Sequence, residues 1–210
     1  MTTSGIKQTI DDAVRQERIS GQLRDQLNKR LPQLGEKLLL PRNDPLSALM
    51  EFITGYIESV PSSLNLVTAV SKRLGFHSYA APFLHLAEDY FLQPPEAIAD
   101  AQGLGGLLDE AFLAHRLLEE VNDHHVRHLQ QPLLPIDMTE ANIIVHHLIG
   151  DTLAGQLENL VQYAASQLLA KEQSWEQVRN LPGSDEAFDN PTAGEQLTWR
   201  PQQVRLRLAS

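Results

Sequence analysis

Six of the chain's eight histidines fall between His115 and His147, far more than an even spread would place there. Three histidines stand four residues before a carboxylate: His115 before Glu119, His147 before Asp151, and His85 before Asp89. On a helix, side chains four apart lie one above the other, so each pair can reach a single point. Imidazole and carboxylate offered from facing helices is how bundles build non-haem iron, manganese or zinc centres. The same residue types also do quieter work. An inward histidine can be satisfied by one core hydrogen bond, and an i,i+4 pair can simply brace a surface helix. Imidazoles close to carboxylates also titrate near neutral pH.

Helical geometry sorts these groups by face. At 100° per residue, Leu107, Ala111, Leu118, Val121 and Leu129 form an apolar face that His115, Asn122 and His125 share, with Glu119 at its edge. Arg116, Glu120, Asp123 and His124 are expected to point away. Further on, His146 shares a face with Leu153, Leu157 and Ala164, while His147, Asp151 and Glu158 form a neighbouring polar stripe. The metal candidates are therefore His115, Glu119, His146 and His147.

Two family patterns overlap this region. His115-Arg-Leu-Leu-Glu119-Glu120 resembles the His-x-x-x-Glu-Glu segment of hemerythrin-like domains, and His146 followed by Asp151 resembles their His-x-x-x-x-Asp. His124 and His128 have the spacing of that family's third element but share a helix with His115, whereas the family draws these ligands from different helices. Gly150-Asp-Thr-Leu-Ala-Gly-Gln156 resembles the Gly-Asp-Leu-Ser-Gly-Gly-Gln segment of heme oxygenases, an all-α family of similar chain length, with identity at four of seven positions. That resemblance implies a kinked distal helix. Gly150 and Gly155 would let backbone approach a haem face, and Asp151 would hold an ordered water network. Ala154 replaces a family glycine, and residues 1–76 contain no histidine to stand for the family's N-terminal axial ligand. The nearest upstream candidates are His77 and His85.

The elements that must position these groups read as helices almost throughout. Ile6, Ile10 and Val14, then Leu23, Leu27 and Leu31, repeat at spacing four, with Gly21 and Pro32 as interruptions that predict two or three short helices. Asp44-Pro45 reads as an N-cap with proline at the first helical position. That helix is expected to stop before Pro61, and Ser62 or Ser63 to cap another that ends at Gly75. Pro82 is expected to open the next helix and Pro94-Pro95 to end it. Gly103 to Gly106 lacks the Lys-Ser/Thr of a phosphate loop and reads as a hinge.

Two long helices follow. One is expected from Leu107 to Gln131, the other from an Asp137-x-x-Glu140 capping box to Lys171, with a bend at Gly150 or Gly155. Pro182-Gly183, Asn190-Pro191 and Gly194 mark loop, and Val204 to Leu208 alternates with period two, as a short strand or an extended tail would. The fold class is all-α. It is a multi-helix bundle around two long helices, heme-oxygenase-like by the resemblance, with residues 1–180 as one helical domain and 181–210 as an extended C-terminal tail.

The whole chain bounds the function. Its 210 residues suffice to bury a core without staples, and with no cysteine it has no thiolate chemistry and no disulfide. No secretory signal and no run of ~18 apolar residues is visible, which makes the cytoplasm the expected location. Net charge is −10, but residues 1–42 carry 8 Lys/Arg against 5 Asp/Glu, while residues 43–103 carry 2 against 7 and residues 104–175 carry 3 against 10. An acidic body repels a phosphate backbone, so nucleic acid is excluded as a partner, and the basic N-terminal helices can dock on that body. No Gly-x-Ser-x-Gly elbow offers a nucleophile.

Two functions from different classes remain. The first is a cofactor protein holding a non-haem divalent metal or a tetrapyrrole near His115, Glu119, His146, His147, Gly150, Asp151 and Gly155, with oxidative chemistry as its outlet. The second is a non-catalytic helical interaction or regulatory protein with no cofactor. A small-molecule ligand and a homo-oligomer are compatible with the chain. The discriminating feature is whether the inward His and carboxylate groups converge around a cavity.

Overall fold

The structure is a computed structural model that describes residues 3–95, 103–129, 137–170 and 203–207. Among them are seven helices: α1 (Thr3–Ser20), α2 (Gln22–Lys37), α3 (Pro45–Arg73), α4 (His77–Leu92), α5 (Gly103–Leu129), α6 (Thr139–Ile149) and α7 (Asp151–Leu169). Two short strands, β1 (Leu38–Leu39) and β2 (Arg205–Leu206), complete the order. The fold is all-α, and no described helix is long and apolar enough to cross a membrane.

Helix α5 is the centre. Leu104, Leu107, Leu108, Ala111, Phe112, Leu113, Ala114, Leu117, Leu118 and Val121 are all buried, so its apolar surface runs nearly all the way round. A helix of that kind is stable only when enclosed. Helices α1, α3, α4, α6 and α7 all pack against it. The N-terminal segment packs on the body through apolar residues while Lys7, Arg15, Arg18 and Lys29 stay exposed: α1 lies on α5 and α3 through Ile6, Ile10 and Ala13, and α2 lies on α3 and α6 through Leu23, Leu27 and Leu34.

Several expected boundaries hold. Asp44 accepts a hydrogen bond from the Ser47 amide at 3.0 Å and caps α3 with Pro45 in its first turn. Gly75 ends that helix at φ 81°, with Phe76 N–H reaching Ser71 C=O and Gly75 N–H reaching Lys72 C=O. This pair of bonds is a Schellman motif. Helix α4 ends at Leu92, ahead of Pro94-Pro95.

Proline was read too strongly. Pro32, Pro61 and Pro82 all lie inside helices, so α3 continues through Pro61 and neither Ser62 nor Ser63 is a cap. An internal proline forfeits one backbone hydrogen bond and crowds the carbonyl four residues earlier. In α3 that loss is set against the burial of Tyr56, Ile57, Val60, Leu64, Leu66 and Val67 along one continuous face. At ~1.5–3 kcal/mol for each large apolar side chain buried, packing outweighs the local defect. Gly103 to Gly106 is likewise not a hinge but the first turn of α5.

The second long helix is two helices. Gly150, at φ 104° and ψ 146°, ends α6 and precedes α7. That backbone region is essentially reserved for glycine. Gly155 lies within α7 and introduces no break. The expected capping box is not formed either. Asp137 accepts from the Thr139 amide at 3.2 Å, and Glu140 instead binds the tail through Arg205 at 2.7 Å and the Leu206 amide at 3.3 Å. There β2 pairs antiparallel with β1, Leu38 opposite Leu206, and Val204 is buried in the core. The strand partner is Leu38-Leu39, two apolar residues too few to show any alternation. The expected ends at Gln131 and Lys171, and the loop from Pro182 to Gly194, lie outside the described residues.

The two glycines separate these roles. Gly150→Ala is expected to lower unfolding free energy by about 1–3 kcal/mol through backbone strain. Gly155→Ala is expected to be neutral or to stabilise by up to about 1 kcal/mol through helix propensity. Urea denaturation of both variants checks this, and equal effects at the two positions would contradict it.

Candidate functional site

The residues singled out by spacing are brought into one chain of contacts, though not to one point. His115 is fully buried on α5, with Nε2 3.0 Å from Ser59 Oγ and 3.3 Å from the Tyr56 carbonyl oxygen. Ser59 spends its only hydroxyl proton on that carbonyl at 2.7 Å. His115 Nε2 must therefore carry the proton and donate to Ser59, which leaves Nδ1 a buried acceptor with no partner among the described residues. Burial holds the ring neutral, with its pKa lowered to about 4.

Tyr56 carries the chain onward. Its hydroxyl donates to Asn142 Oδ1 at 2.6 Å, and Asn142 Nδ2 donates to Glu119 Oε2 at 2.6 Å. Glu119 also pairs with Arg116, whose Nε lies 3.9 Å from Glu158. Glu158 accepts from His146 Nδ1 at 3.1 Å, and Asp151 stands 3.4 Å from the other ring nitrogen. One polar path thus crosses from α3 through α5 and α6 to α7. It begins in the core and ends at Asp151, whose side chain is 88 % exposed.

Several placements differ from the helical-wheel expectation. Arg116 does not point away but is half-buried, its guanidinium held between Glu119 and Glu158. His146 does not share the apolar face of α7, because the break at Gly150 turns α6 so that His146 meets Asp151 and Glu158 instead. His147 stands edge-on to His146 at 5.8 Å between ring centroids, with a pKa lowered by burial first and by its neighbour His146 next. His85 and Asp89 are both exposed on α4. His125 is a satisfied core residue: Nδ1 donates to the Val121 carbonyl at 2.7 Å, and the Tyr79 hydroxyl donates to Nε2 at 2.9 Å.

These positions are not gathered around one point. Among the described residues no group of three or more His, Asp or Glu is placed to hold a metal ion. Glu119 and His146 are engaged with protein partners. A Cβ on Gly155 would meet nothing within 4 Å, so that glycine serves no close approach, and Asp151 faces solvent. What Gly150 does approach is Arg30: a Cβ there would lie 3.8 Å from the guanidinium. Arg30 donates to the carbonyls of His147 and Leu148 and so caps α6 where the glycine stops it.

Arg30 also opens the view to a feature that spacing did not reveal. A cavity of about 480 Å3 lies between α1, α2, the first turns of α5, and the α6–α7 junction. Leu23, Leu27, Leu104, Leu108 and Leu148 form an apolar floor, and Gln16, Ser20, Gln22 and Gln26 stand at an exposed rim. Among the described residues no histidine lines it. Two carboxylates do. Glu17 accepts from the Leu23 and Arg24 amides at 3.1 and 3.0 Å and so caps α2. Asp109, only 7 % exposed, makes no hydrogen bond or ion pair with a described residue. Burial raises its pKa to about 7, and Glu110 beside it rises to about 7 from burial and then from the charge of Asp109. The signal was present in the sequence as an Asp inside the apolar run Leu107-Leu-Asp-Glu-Ala-Phe-Leu113.

No family model matches this chain, and neither does any curated protein or solved structure.

Two outcomes follow for stability. Tyr56→Phe and Asn142→Ala are each expected to cost about 1–3 kcal/mol, since each strands a buried partner, while His85→Ala stays within about 0.5 kcal/mol. Asp109 acts in the opposite sense. Its folded pKa of about 7 lies above the ordinary 3.8, so the folded state binds the proton more tightly and Asp109's contribution to stability falls as pH rises between those values. Asp109→Asn is expected to remove that loss and to stabilise the protein at pH 8 by about 2 kcal/mol, at about 1.4 kcal/mol per pKa unit with partial solvent relief. Melting curves of wild type and variant at pH 4 and pH 8 check the sign, and a variant less stable at pH 8 would contradict it.

Proposed function

We propose that this chain is a non-catalytic helical protein that binds a small molecule in the cavity between α1, α2, α5 and the α6–α7 junction, and that the His–carboxylate path is its scaffold. The observation that carries this reading is Asp109. Buried polar groups in folded chains are almost always paired, and an unpaired buried carboxylate costs free energy unless something else meets it. Across the bundle, inward polar side chains such as Tyr56, Asn142, Glu119 and His125 find protein partners. Asp109 makes no such bond with a described residue, and it lines open space of a size that suits a small molecule.

The scaffold role rests on the same accounting. Three of the donors named for a metal are spent on other protein groups: His115 on Ser59 of α3, Glu119 on Asn142 of α6 and on Arg116, and His146 on Glu158 and Asp151 of α7. Arg116, held between Glu119 and Glu158, joins α5 to α7, and Asn142 joins α6 to both α3 and α5.

A set of small polar fragments, followed by amide NMR, is expected to shift Gly103, Gly105, Gly106, Leu148 and Ile149 together. Ser20→Trp at the rim is expected to abolish those shifts. Fragments that perturb only amides elsewhere would contradict the reading. So would stoichiometric metal or a Soret band in freshly purified protein that disappears in His115→Ala and His146→Ala.

A further inference from the structure

The chemistry of the cavity walls narrows the class of ligand, an inference that rests on the binding reading above. The floor is leucine and offers contact to an apolar body. Beyond the first turn of α5, the side chain on this wall that makes no hydrogen bond with a described residue is the Asp109 carboxylate, an acceptor. Its natural complement is a charged donor, because a hydrogen bond between ions is roughly twice as strong as one between neutral groups. An anion is disfavoured there by Asp109 and Glu17 together.

Two positive features line the same cavity, and neither neutralises Asp109. Arg30 lies at the α6–α7 wall with its guanidinium spent on the carbonyls of His147 and Leu148. Burial alone accounts for the displaced titration of Asp109, with no contribution resolved from Arg30. The first turn of α5 is the other feature. Asp109 lies six residues along from Gly103, roughly 9 Å at 1.5 Å per residue, and a helix dipole fades beyond its first turn. The α5 wall is thus negative with no counter-charge of its own.

We propose that this cavity takes an organic ammonium ion: a primary or secondary amine on a short apolar body, its charge on Asp109 and its body against Leu23, Leu27 and Leu108. Among the described residues, the charged groups facing the cavity are Asp109, Glu17 and Arg30, with Glu110 adjacent to Asp109 on α5. An alkylammonium keeps its proton across neutral pH. Binding therefore requires the ionised form of Asp109, and affinity rises with pH as Asp109 loses its proton.

Three probes with one body and different charge test this: benzylammonium, benzyl alcohol and benzoate, each titrated into the full chain with amide NMR. At pH 8 benzylammonium is expected to shift the amides of Gly103, Gly105 and Gly106 and to bind at least tenfold more tightly than benzyl alcohol. Benzoate is expected to leave them in place. Asp109→Asn is expected to weaken benzylammonium at least tenfold while keeping a native amide spectrum, and lowering the pH to 6 to weaken it in the wild type. Ser20→Trp is expected to weaken every probe that binds, since it closes the rim without touching the carboxylate. If benzyl alcohol or benzoate shifts the same amides as tightly, or Asp109→Asn leaves benzylammonium unchanged, the ammonium assignment fails and the binding cavity stands. If none of the three probes and none of the polar fragments shifts those amides, both fail.

Discussion

A helix enclosed on nearly every side has no solvent face for its polar residues, and α5 is such a helix. Every polar group on its inner turns must be met by a neighbour or remain a cost to the fold. This constraint organises the bundle. His115 meets Ser59 and the Tyr56 carbonyl, Glu119 meets Asn142 and Arg116, and His125 meets Tyr79 and the Val121 carbonyl. The contacts to Ser59, Tyr56, Asn142 and Tyr79 orient α3, α6 and α4 against α5. The polar path therefore gives the packing its register, while the leucines and aromatics around it supply most of the burial.

The break at Gly150 belongs to the same logic. A straight helix from Thr139 to Leu169 would carry His146 along the apolar face of its second half. Stopping the chain at Gly150 exposes the last carbonyls of α6, which Arg30 covers, and turns His146 towards Glu158 and Asp151. The junction then forms one wall of the cavity, whose opposite wall holds Asp109. Gly150 lets α6 end where Arg30 can cap it.

Much of this was legible in the residues. Helical periodicity, the Asp44 cap and the Gly75 stop are local, and the inward placement of His115, Asn122 and His125 followed from the wheel. The failures share one cause. Proline is a local signal, but Pro32, Pro61 and Pro82 sit in helices held by long-range burial, which no local rule registers. Arg116 and His146 were misplaced because their partners come from other helices, and the break at Gly150 decides who those partners are. Asp109 and Glu110, a pair of acids in a leucine-rich run, look like surface residues until the neighbours of that run are known. The strand at Leu38-Leu39 was invisible for the same reason, since its partner lies over 160 residues away and its two residues carry no periodicity of their own.

The account turns on whether Asp109 is a buried carboxyl that nothing in the fold neutralises. Its side-chain carboxyl carbon, followed by NMR through a pH titration of the intact protein, reports this without a ligand or a variant. The expected midpoint is about 7. A midpoint at the ordinary aspartate value near 3.8 would show the group solvated or paired, and the case for a ligand at that wall would fall with it.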